Sequence, residues 1–183
     1  AINIYRKARQ YDDMIRLVTA HRSSLLTETH HSLAHQFETE GNYKQAEHHY
    51  LKAKMWQPVV KMYKEADMWE DVLRVAKQHG GTAAYKQWAY NFAMSVGGEA
   101  GAKLLIKRGL GELACDYAME RGDFTQAFII AEMACKQKVP DIHLQYAMHL
   151  EDEGKFELAE SEFIKAKKPK EAIDMWVHQQ HWE

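Results

Sequence analysis

The stretch EGNYKQAEHHYLKAKMWQPVVKMYKEADMWE, residues 40–70, decides the fold because it recurs without a gap as EGKFELAESEFIKAKKPKEAIDMWVHQQHWE, residues 153–183. A partial third copy, RGDFTQAFIIAEMA, occupies residues 121–134. The two long copies share small and apolar residues at matching positions, namely Gly41/Gly154, Ala46/Ala159, Ala53/Ala166, Met62/Met175 and Trp69/Trp182. Self-similarity over this length is typical of helical-repeat proteins.

Each copy predicts a helical hairpin. Gly41, Gly122 and Gly154 stand where a first helix should end in the left-handed conformation, which glycine adopts without steric cost. An aromatic residue two positions later begins the second helix, and the alanines let the two helices approach closely. We therefore expect second helices to begin at Tyr43, Phe124 and Phe156.

A shorter period of about thirteen residues, one short helix and its turn, runs through the same region. It consists of an aromatic residue, an alanine, a second aromatic residue and an aliphatic pair, as in Tyr50-Ala53-Trp56-Val59-Val60 and Tyr63-Ala66-Trp69-Val72-Leu73. Consecutive helices then present equivalent faces to their neighbours. The predicted fold class is all-α, a superhelical array of antiparallel helical hairpins of the tetratricopeptide-like α-solenoid type.

Helix ends follow from the turn signals, and β-branched alternation typical of strands is absent. Each proline falls in a predicted first helical turn, where its missing N–H costs little. We expect one array segment, residues 1–183, with a loop in the stretch VGGEAG at 96–101. Predicted helices lie near 2–9, 12–20, 28–40, 43–54, 57–66, 69–79, 82–95, 99–108, 110–121, 124–137, 140–152, 156–167 and 170–180.

Composition excludes several classes of protein. With 24 Lys and Arg against 26 Asp and Glu, the net charge of −2 provides no basic surplus for nucleic acid or an anionic membrane surface. No apolar run has the length of a membrane span. Cys115 and Cys135 lie within helical patterning, which predicts reduced, packed thiols of an intracellular protein. Because helical patterns reach both ends, we expect an excerpt of a longer chain. Its open apolar faces should carry Ile2, Ile4 and Tyr5 at one end and Met175, Trp176 and Trp182 at the other.

Histidines offer the first candidate site. Five of them cluster in one predicted hairpin: His30, His31, His35, His48 and His49. His31 and His35 have the i, i+4 spacing of two zinc ligands on a helix, but a zinc site needs further ligands and none accompanies them. We interpret the cluster as solvated or interfacial imidazoles. No catalytic, cofactor-binding or metal-binding residue is predicted, and no cofactor.

A glycine-rich stretch offers the second candidate. Gly97, Gly98 and Gly101 with Lys103 resemble a phosphate-binding loop, yet the spacing differs and no apolar strand precedes them. A turn between helices explains these glycines better than a nucleotide site.

Aromatic and basic residues leave alternatives open. The tryptophans could line a peptide groove; the five are Trp56, Trp69, Trp88, Trp176 and Trp182. Those at repeat positions more often fill the seam between hairpins, which we favour, and Trp88 is the exception outside the repeat. Trp88 forms a separate stripe with Tyr85 and Phe92. One basic cluster could touch an acidic partner such as a tubulin tail, or a lipid headgroup: Lys165, Lys167, Lys168 and Lys170.

Family resemblance adds an expected function. The residues Leu33, Ala34, Phe37, Gly41, Tyr43, Ala46, Tyr50, Ala53 and Pro58 match the tetratricopeptide pattern. Longer phrases resemble the solenoid of the large intraflagellar-transport subunits, in particular a long peripheral subunit of complex B: YRKARQYDDMIRLV at 5–18, YKEADMWEDVLRVAKQHGG at 63–81 and GGEAGAKLLIKRGLGELACDYAMERGDF at 97–124. The resemblance implies a parent with N-terminal β-propellers and a long helical tail.

The same resemblance implies a non-catalytic scaffold of the trains that carry cargo along the ciliary axoneme. Its partners would be other intraflagellar-transport subunits and neighbouring copies in a train, without nucleic acid or a small-molecule substrate, and membrane contact is not expected. It would reside in the cilium or flagellum and at the ciliary base, on the cytoplasmic side. Two alternatives stay open, a freestanding tetratricopeptide adaptor that binds a short peptide in its concave groove and the regulatory domain of a larger enzyme.

Overall fold

The computed structural model describes residue 4 and residues 7–180. Within that part of the chain every regular element is helical and none is a strand. The α-helices are α1 (Tyr11–His21), α2 (Leu26–Thr39), α3 (Tyr43–Lys52), α4 (Trp56–Glu65), α5 (Trp69–Val75), α6 (Gly81–Val96), α7 (Gly98–Lys107), α8 (Gly111–Glu120), α9 (Phe124–Ala134), α10 (Val139–Asp152), α11 (Phe156–Lys165) and α12 (Pro169–Gln180). The predicted all-α class with tetratricopeptide-like hairpins is confirmed.

Two predicted boundaries need correction. The loop expected at 96–101 shrinks to Gly97, which has a φ of 77°, because Gly98 already begins α7. The helix expected at 69–79 changes type partway, since α5 continues into a π-helix at Ala76–Gly80. The helix expected at 2–9 falls largely outside the described residues.

The chain divides into two compact units, Ala1–Trp88 and Ala89–Glu183, with the boundary inside α6. In the first unit α2 packs on α3 and α4 packs on α5. In the second unit α8 packs on α9 and α10 packs on α11. Each pair is joined by a few residues, so its helices run antiparallel. A single array segment over residues 1–183 stays a prediction.

Residues in the left-handed conformation follow seven of the helices, and the nearest ones are thirteen positions apart. They are Gly41 (φ 74°), Lys54 (φ 59°), Asp67 (φ 57°), Gly109 (φ 73°), Gly122 (φ 72°), Gly154 (φ 75°) and Lys167 (φ 59°). After each, the next N–H donates to a carbonyl five residues earlier, as Asn42 N does to Phe37 O at 2.8 Å and Lys168 N to Phe163 O at 2.9 Å. These bonds satisfy carbonyls that the helix end leaves free. The predicted turns at the three glycines and the predicted second-helix starts are confirmed.

Substitutions at the glycine and lysine turns should change the free energy of unfolding in opposite directions. Gly41→Val should lower the free energy of unfolding by at least about 1 kcal/mol, because a β-branched residue is strained at positive φ. Lys167→Gly should raise it by about 0.5 to 1 kcal/mol, because it relieves the same strain. Urea unfolding of both variants measures the two changes. A loss of stability in Lys167→Gly would contradict the explanation.

Buried alanines contribute small side chains to the cores of the hairpins. In the last one, Ala147, Ala159 and Ala172 are 0%, 0% and 5% exposed and pack with larger core side chains. Met175 belongs to this core at 2% exposure, so the expectation that it lies on an open face is wrong. Ile4 is 70% exposed, as expected.

Among the glycines of the second unit, Gly101 is the one whose Cβ would come closest to a neighbouring helix. A Cβ atom there would lie 2.5 Å from the Ala93 carbonyl oxygen and 2.6 Å from the Tyr117 hydroxyl oxygen. Tyr117 is fully buried, and its hydroxyl donates to the Gly98 carbonyl at 3.1 Å. Gly97 therefore serves a turn, as the turn interpretation predicted, whereas Gly101 serves helix packing, which that interpretation did not predict. Lys103 forms an exposed ion pair with Glu99 at 2.8 Å.

Candidate functional site

Two of the five clustered histidines are buried and face each other. His30 on α2 and His49 on α3 are 7% and 5% exposed, and their Nδ1 atoms lie 2.9 Å apart. One ring donates its N–H and the other accepts, so the pair cannot hold a proton on both nitrogens. Of the two forms of the interpretation, these two are interfacial imidazoles, buried between α2 and α3, and not solvated ones. His31, His35 and His48 are exposed, as that interpretation expects.

Burial controls the protonation of this pair. It is the largest cause that lowers the pKa of His49 to about 4, and repulsion from His30 and His48 adds to it. Burial also lowers the pKa of His30, with repulsion from His48 and Lys52. Asp12 opposes the shift of His49. The buried pair is therefore neutral near pH 7.

Among the residues that the structure describes, no group of three His, Cys, Asp or Glu side chains is placed to hold a metal ion. The expected lack of catalytic, cofactor and metal residues stays a prediction.

A half-buried ionic network joins the helices of the first unit. The Arg74 guanidinium donates to both carboxylate oxygens of Glu47 at 2.9 and 2.8 Å, and to Asp71 at 2.8 Å. Glu47 also accepts from the Tyr63 hydroxyl at 2.5 Å, and Lys44 donates to Asp71 at 3.0 Å. Burial raises the pKa of the Glu47 carboxyl, but the bonds from Arg74 and Tyr63 outweigh it and the net shift is downward. The network fastens α3 to α4 and α5, so its role is structural.

Arg74→Met should lower the free energy of unfolding by about 2 kcal/mol. It leaves the carboxylate of Glu47, whose side chain is 12% exposed, without its bidentate partner. The loss of stability is smaller than for a fully buried ion pair, because the Arg74 side chain is 36% exposed. Lys61→Met is the matched control: its ion pair with Glu65 is exposed, and losing it should cost under about 0.5 kcal/mol. Equal losses in the two variants on urea unfolding would contradict the structural role.

The two cysteines meet in the second unit. Cys115 and Cys135 are free and buried, with their Sγ atoms 2.9 Å apart. Burial and the neighbouring thiol raise the pKa of Cys115 to about 12, so it is protonated at neutral pH. The prediction of packed thiols is confirmed.

Among the described residues, one tryptophan lies in the core and three are half-buried. Trp69 is 8% exposed and donates to the Asp67 carboxylate at 2.8 Å. Trp176 is half-buried and donates to Glu160 at 3.1 Å. Trp56 and Trp88 are also half-buried, whereas Trp182 lies outside the described residues. Structural packing explains these rings at repeat positions, as favoured from the sequence.

The basic cluster is solvent-exposed at all four lysines, Lys165, Lys167, Lys168 and Lys170. Lys165 donates to Glu162 at 2.6 Å, so part of its charge is compensated. None of these contacts forms a pocket for a specific ligand.

An apolar groove between α7 and α9 is the strongest candidate for a binding site. It has a volume of about 550 Å³. Ile129 and Met133 on α9 are 55% and 70% exposed at its wall, beside Ile106 of α7. Charged residues stand at its rim: Glu99, Lys103, Lys107 and Asp123. Sequence reasoning missed this groove because it assigned apolar residues of a helix to one core stripe.

Within the described part of the chain, no helix combines the length and apolarity that crossing a bilayer requires.

Comparison with known proteins gives the family. A family model for the TPR domain of intraflagellar transport proteins 140 and 172 matches residues 1–181. Intraflagellar transport protein 172 homolog of Rattus norvegicus is 53% identical over 183 residues, which are 100% of this chain and 10% of that protein. Intraflagellar transport protein 172 of Chlamydomonas reinhardtii and the homolog of Homo sapiens are each 51% identical over the same shares. The chain thus spans about a tenth of the length of these curated relatives. A match that runs through every hairpin described above shows that the chain belongs to the family of TPR domains found in intraflagellar transport proteins 140 and 172.

Proposed function

We propose that this chain is a non-catalytic scaffold segment of intraflagellar-transport trains, in which it binds other proteins of the transport machinery. The observation that carries the proposal is the match of residues 1–181 to a domain family named after intraflagellar transport subunits. Relatives named intraflagellar transport protein 172 align over the whole chain at 51% to 53% identity. The freestanding adaptor is not favoured, because these relatives are transport proteins in which the matching segment is a small part.

The described structure supports a binding role. Stacked helical hairpins expose long helix faces, and proteins of this architecture use such faces to bind other proteins. The buried and half-buried polar groups described above satisfy one another: the His30–His49 pair, the Glu47–Arg74 network and the two thiols. Its partners would be other subunits of the transport complex and neighbouring copies in a train. It would act in the cilium or flagellum and at the ciliary base, on the cytoplasmic side.

A chimera tests the proposal. The segment of Chlamydomonas reinhardtii intraflagellar transport protein 172 that matches this chain is replaced by residues 1–183, in cells that lack the native protein. We expect flagella of normal length and co-purification of the chimera with the other transport subunits. The control carries an unrelated helical repeat of equal length at the same place, and it should fail in both respects.

Two results would overturn the proposal. The first is a stable chimera that stays out of the transport complex. The second is an equally functional control, because the segment would then act only as a spacer.

A further inference from the structure

We propose that the groove between α7 and α9 binds one amphipathic helix of a partner protein, about three turns long, that lies antiparallel to both helices. The inference deepens the proposed scaffold function and rests on it only for the partner's cellular setting. Helix-in-groove binding needs an apolar floor, a defined length and charges that fix the orientation.

The apolar wall of the groove is not required by the repeat. Aligning Gly122 with Gly41 places Ile129 and Met133 of α9 at the positions of His48 and Lys52 in α3. Aligning Gly122 with Gly154 places them at the positions of Ser161 and Lys165 in α11, and all four of these residues are exposed. The hairpin therefore folds with polar residues at both positions.

Exposing the apolar side chains of Ile129 and Met133 lowers the solubility of the protein. Ile129 is 55% exposed and Met133 is 70% exposed, and they share one groove with Ile106. Contiguous apolar surface of this kind indicates a binding site rather than chance exposure. An unbranched methionine at its edge can adapt to the side chains of a partner.

Charges along the groove fix the direction of the occupant. Short turns join α7 to α8 and α8 to α9, so α7 and α9 are parallel. Glu99 lies in the first turn of α7, and Asp123 caps the start of α9 by accepting from Gln126 N at 3.0 Å. Lys107 ends α7, whereas Lys103 lies in the middle of the helix and forms the ion pair with Glu99 at 2.8 Å. Because the charges of this pair compensate each other, the groove is acidic at Asp123 and basic at Lys107.

A partner helix complements this polarity in one direction. Helices favour acidic residues in their first turn and basic residues in their last turn, because these compensate the helix dipole. Such a helix places its acidic start against Lys107 and its basic end against Asp123, which makes it antiparallel to α7. Ten residues of α7 span about 15 Å, which is the length of about three helical turns.

The test uses the 183-residue chain and three fluorescein-labelled designed peptides of about 14 residues, nearly four helical turns, so that three turns can lie in the groove. The first peptide has leucines on one face, glutamates in the first turn and lysines in the last turn. The second exchanges the charged ends. The third keeps the composition and breaks the leucine face. Fluorescence anisotropy should show the first peptide binding at least about tenfold more tightly than the third and about threefold more tightly than the second.

Three variants locate the binding. Ile129→His with Met133→Lys copies the residues of α3, so it should unfold at the parent's temperature and lose at least tenfold in affinity. Lys103→Glu with Lys107→Glu makes both ends of the groove acidic, so it should abolish the preference for the first peptide over the second. Ile173→Lys, at an apolar residue that is 62% exposed and outside the groove, should leave the affinity unchanged.

Three results would overturn the proposal. One is equal binding of the first and third peptides, and another is unchanged affinity in the Ile129→His, Met133→Lys variant. The third is a dimer in light scattering that this variant dissociates, since the occupant would then be a second copy of the chain. Failure of the chimera to join the transport complex is a separate outcome: it removes the transport role and leaves peptide binding as measured.

Discussion

Gly101→Val is expected to lower the free energy of unfolding by about 3 kcal/mol, the upper part of the range for overpacked cores. Any Cβ at this position would lie 2.5 Å from the Ala93 carbonyl oxygen, which is backbone and cannot rotate away. It would also lie 2.6 Å from the Tyr117 hydroxyl oxygen, so the buried ring must shift and lose its bond to Gly98. Thermal and urea unfolding followed by circular dichroism measure the change.

The matched control is Ala100→Val, at the neighbouring, exposed position of the same helix. It introduces the same β-branched side chain into α7 without a steric conflict, so it should cost under about 1 kcal/mol. Similar losses in the two variants would show that helix propensity, and not the close approach of α7 to Tyr117, determines the effect.

Acidification should destabilise the protein before its carboxylates titrate. The folded state lowers the pKa of His49 from its ordinary value of 6.5 to about 4, so the unfolded chain binds a proton that the folded chain rejects. Stability is therefore complete above about pH 6.5 and falls as the pH falls toward 4. Between about pH 7.5 and pH 5 this histidine alone should remove about 2 kcal/mol, and the lowered pKa of His30 adds to the loss.

His49→Asn separates this effect from other titrations. The asparagine amide can still hydrogen-bond the Nδ1 atom of His30, but it carries no titrating group. Urea unfolding at about pH 7.5 and pH 5 should therefore show a clearly smaller loss in His49→Asn. His35→Asn, at an exposed histidine of α2, should keep the full loss. A parent protein whose stability is equal at both pH values would contradict the buried neutral pair.

Periodicity predicted the hairpins because it reports which face of a helix is buried. Phe37 and Tyr50 fit the tetratricopeptide pattern, and they are 9% and 3% exposed. Gly41 and Gly154 were recognisable because left-handed turns select glycine. Lys54 and Lys167 occupy the same kind of turn, yet residue type alone does not mark them.

Predictions made from residue type alone were wrong at two positions where packing determines the structure. His49 lies three residues after Ala46 and four before Ala53, on the buried stripe of α3, so its position indicated burial while its side chain suggested solvent. The glycines of 96–101 suggested a loop, but Gly101 lies inside α7, where its missing side chain leaves space for Tyr117.

The groove was missed for a different reason. Helix α9 is apolar on two faces, and a single periodic stripe does not separate buried Ile130 from exposed Ile129. Comparison between the repeats does separate them. The other copies carry polar residues at the position of Ile129, so an apolar side chain there is not needed for the core.

Cross-linking mass spectrometry on the purified transport complex that contains the chimera tests the scaffold role most directly. Lysines on the exposed faces of this segment, among them Lys103 and Lys107 at the groove, should form cross-links to other subunits of the complex. The account predicts repeated links from α7 to partner segments with helical, amphipathic sequence. Links confined to the chain itself, in a sample where the rest of the parent protein does cross-link to other subunits, would contradict it.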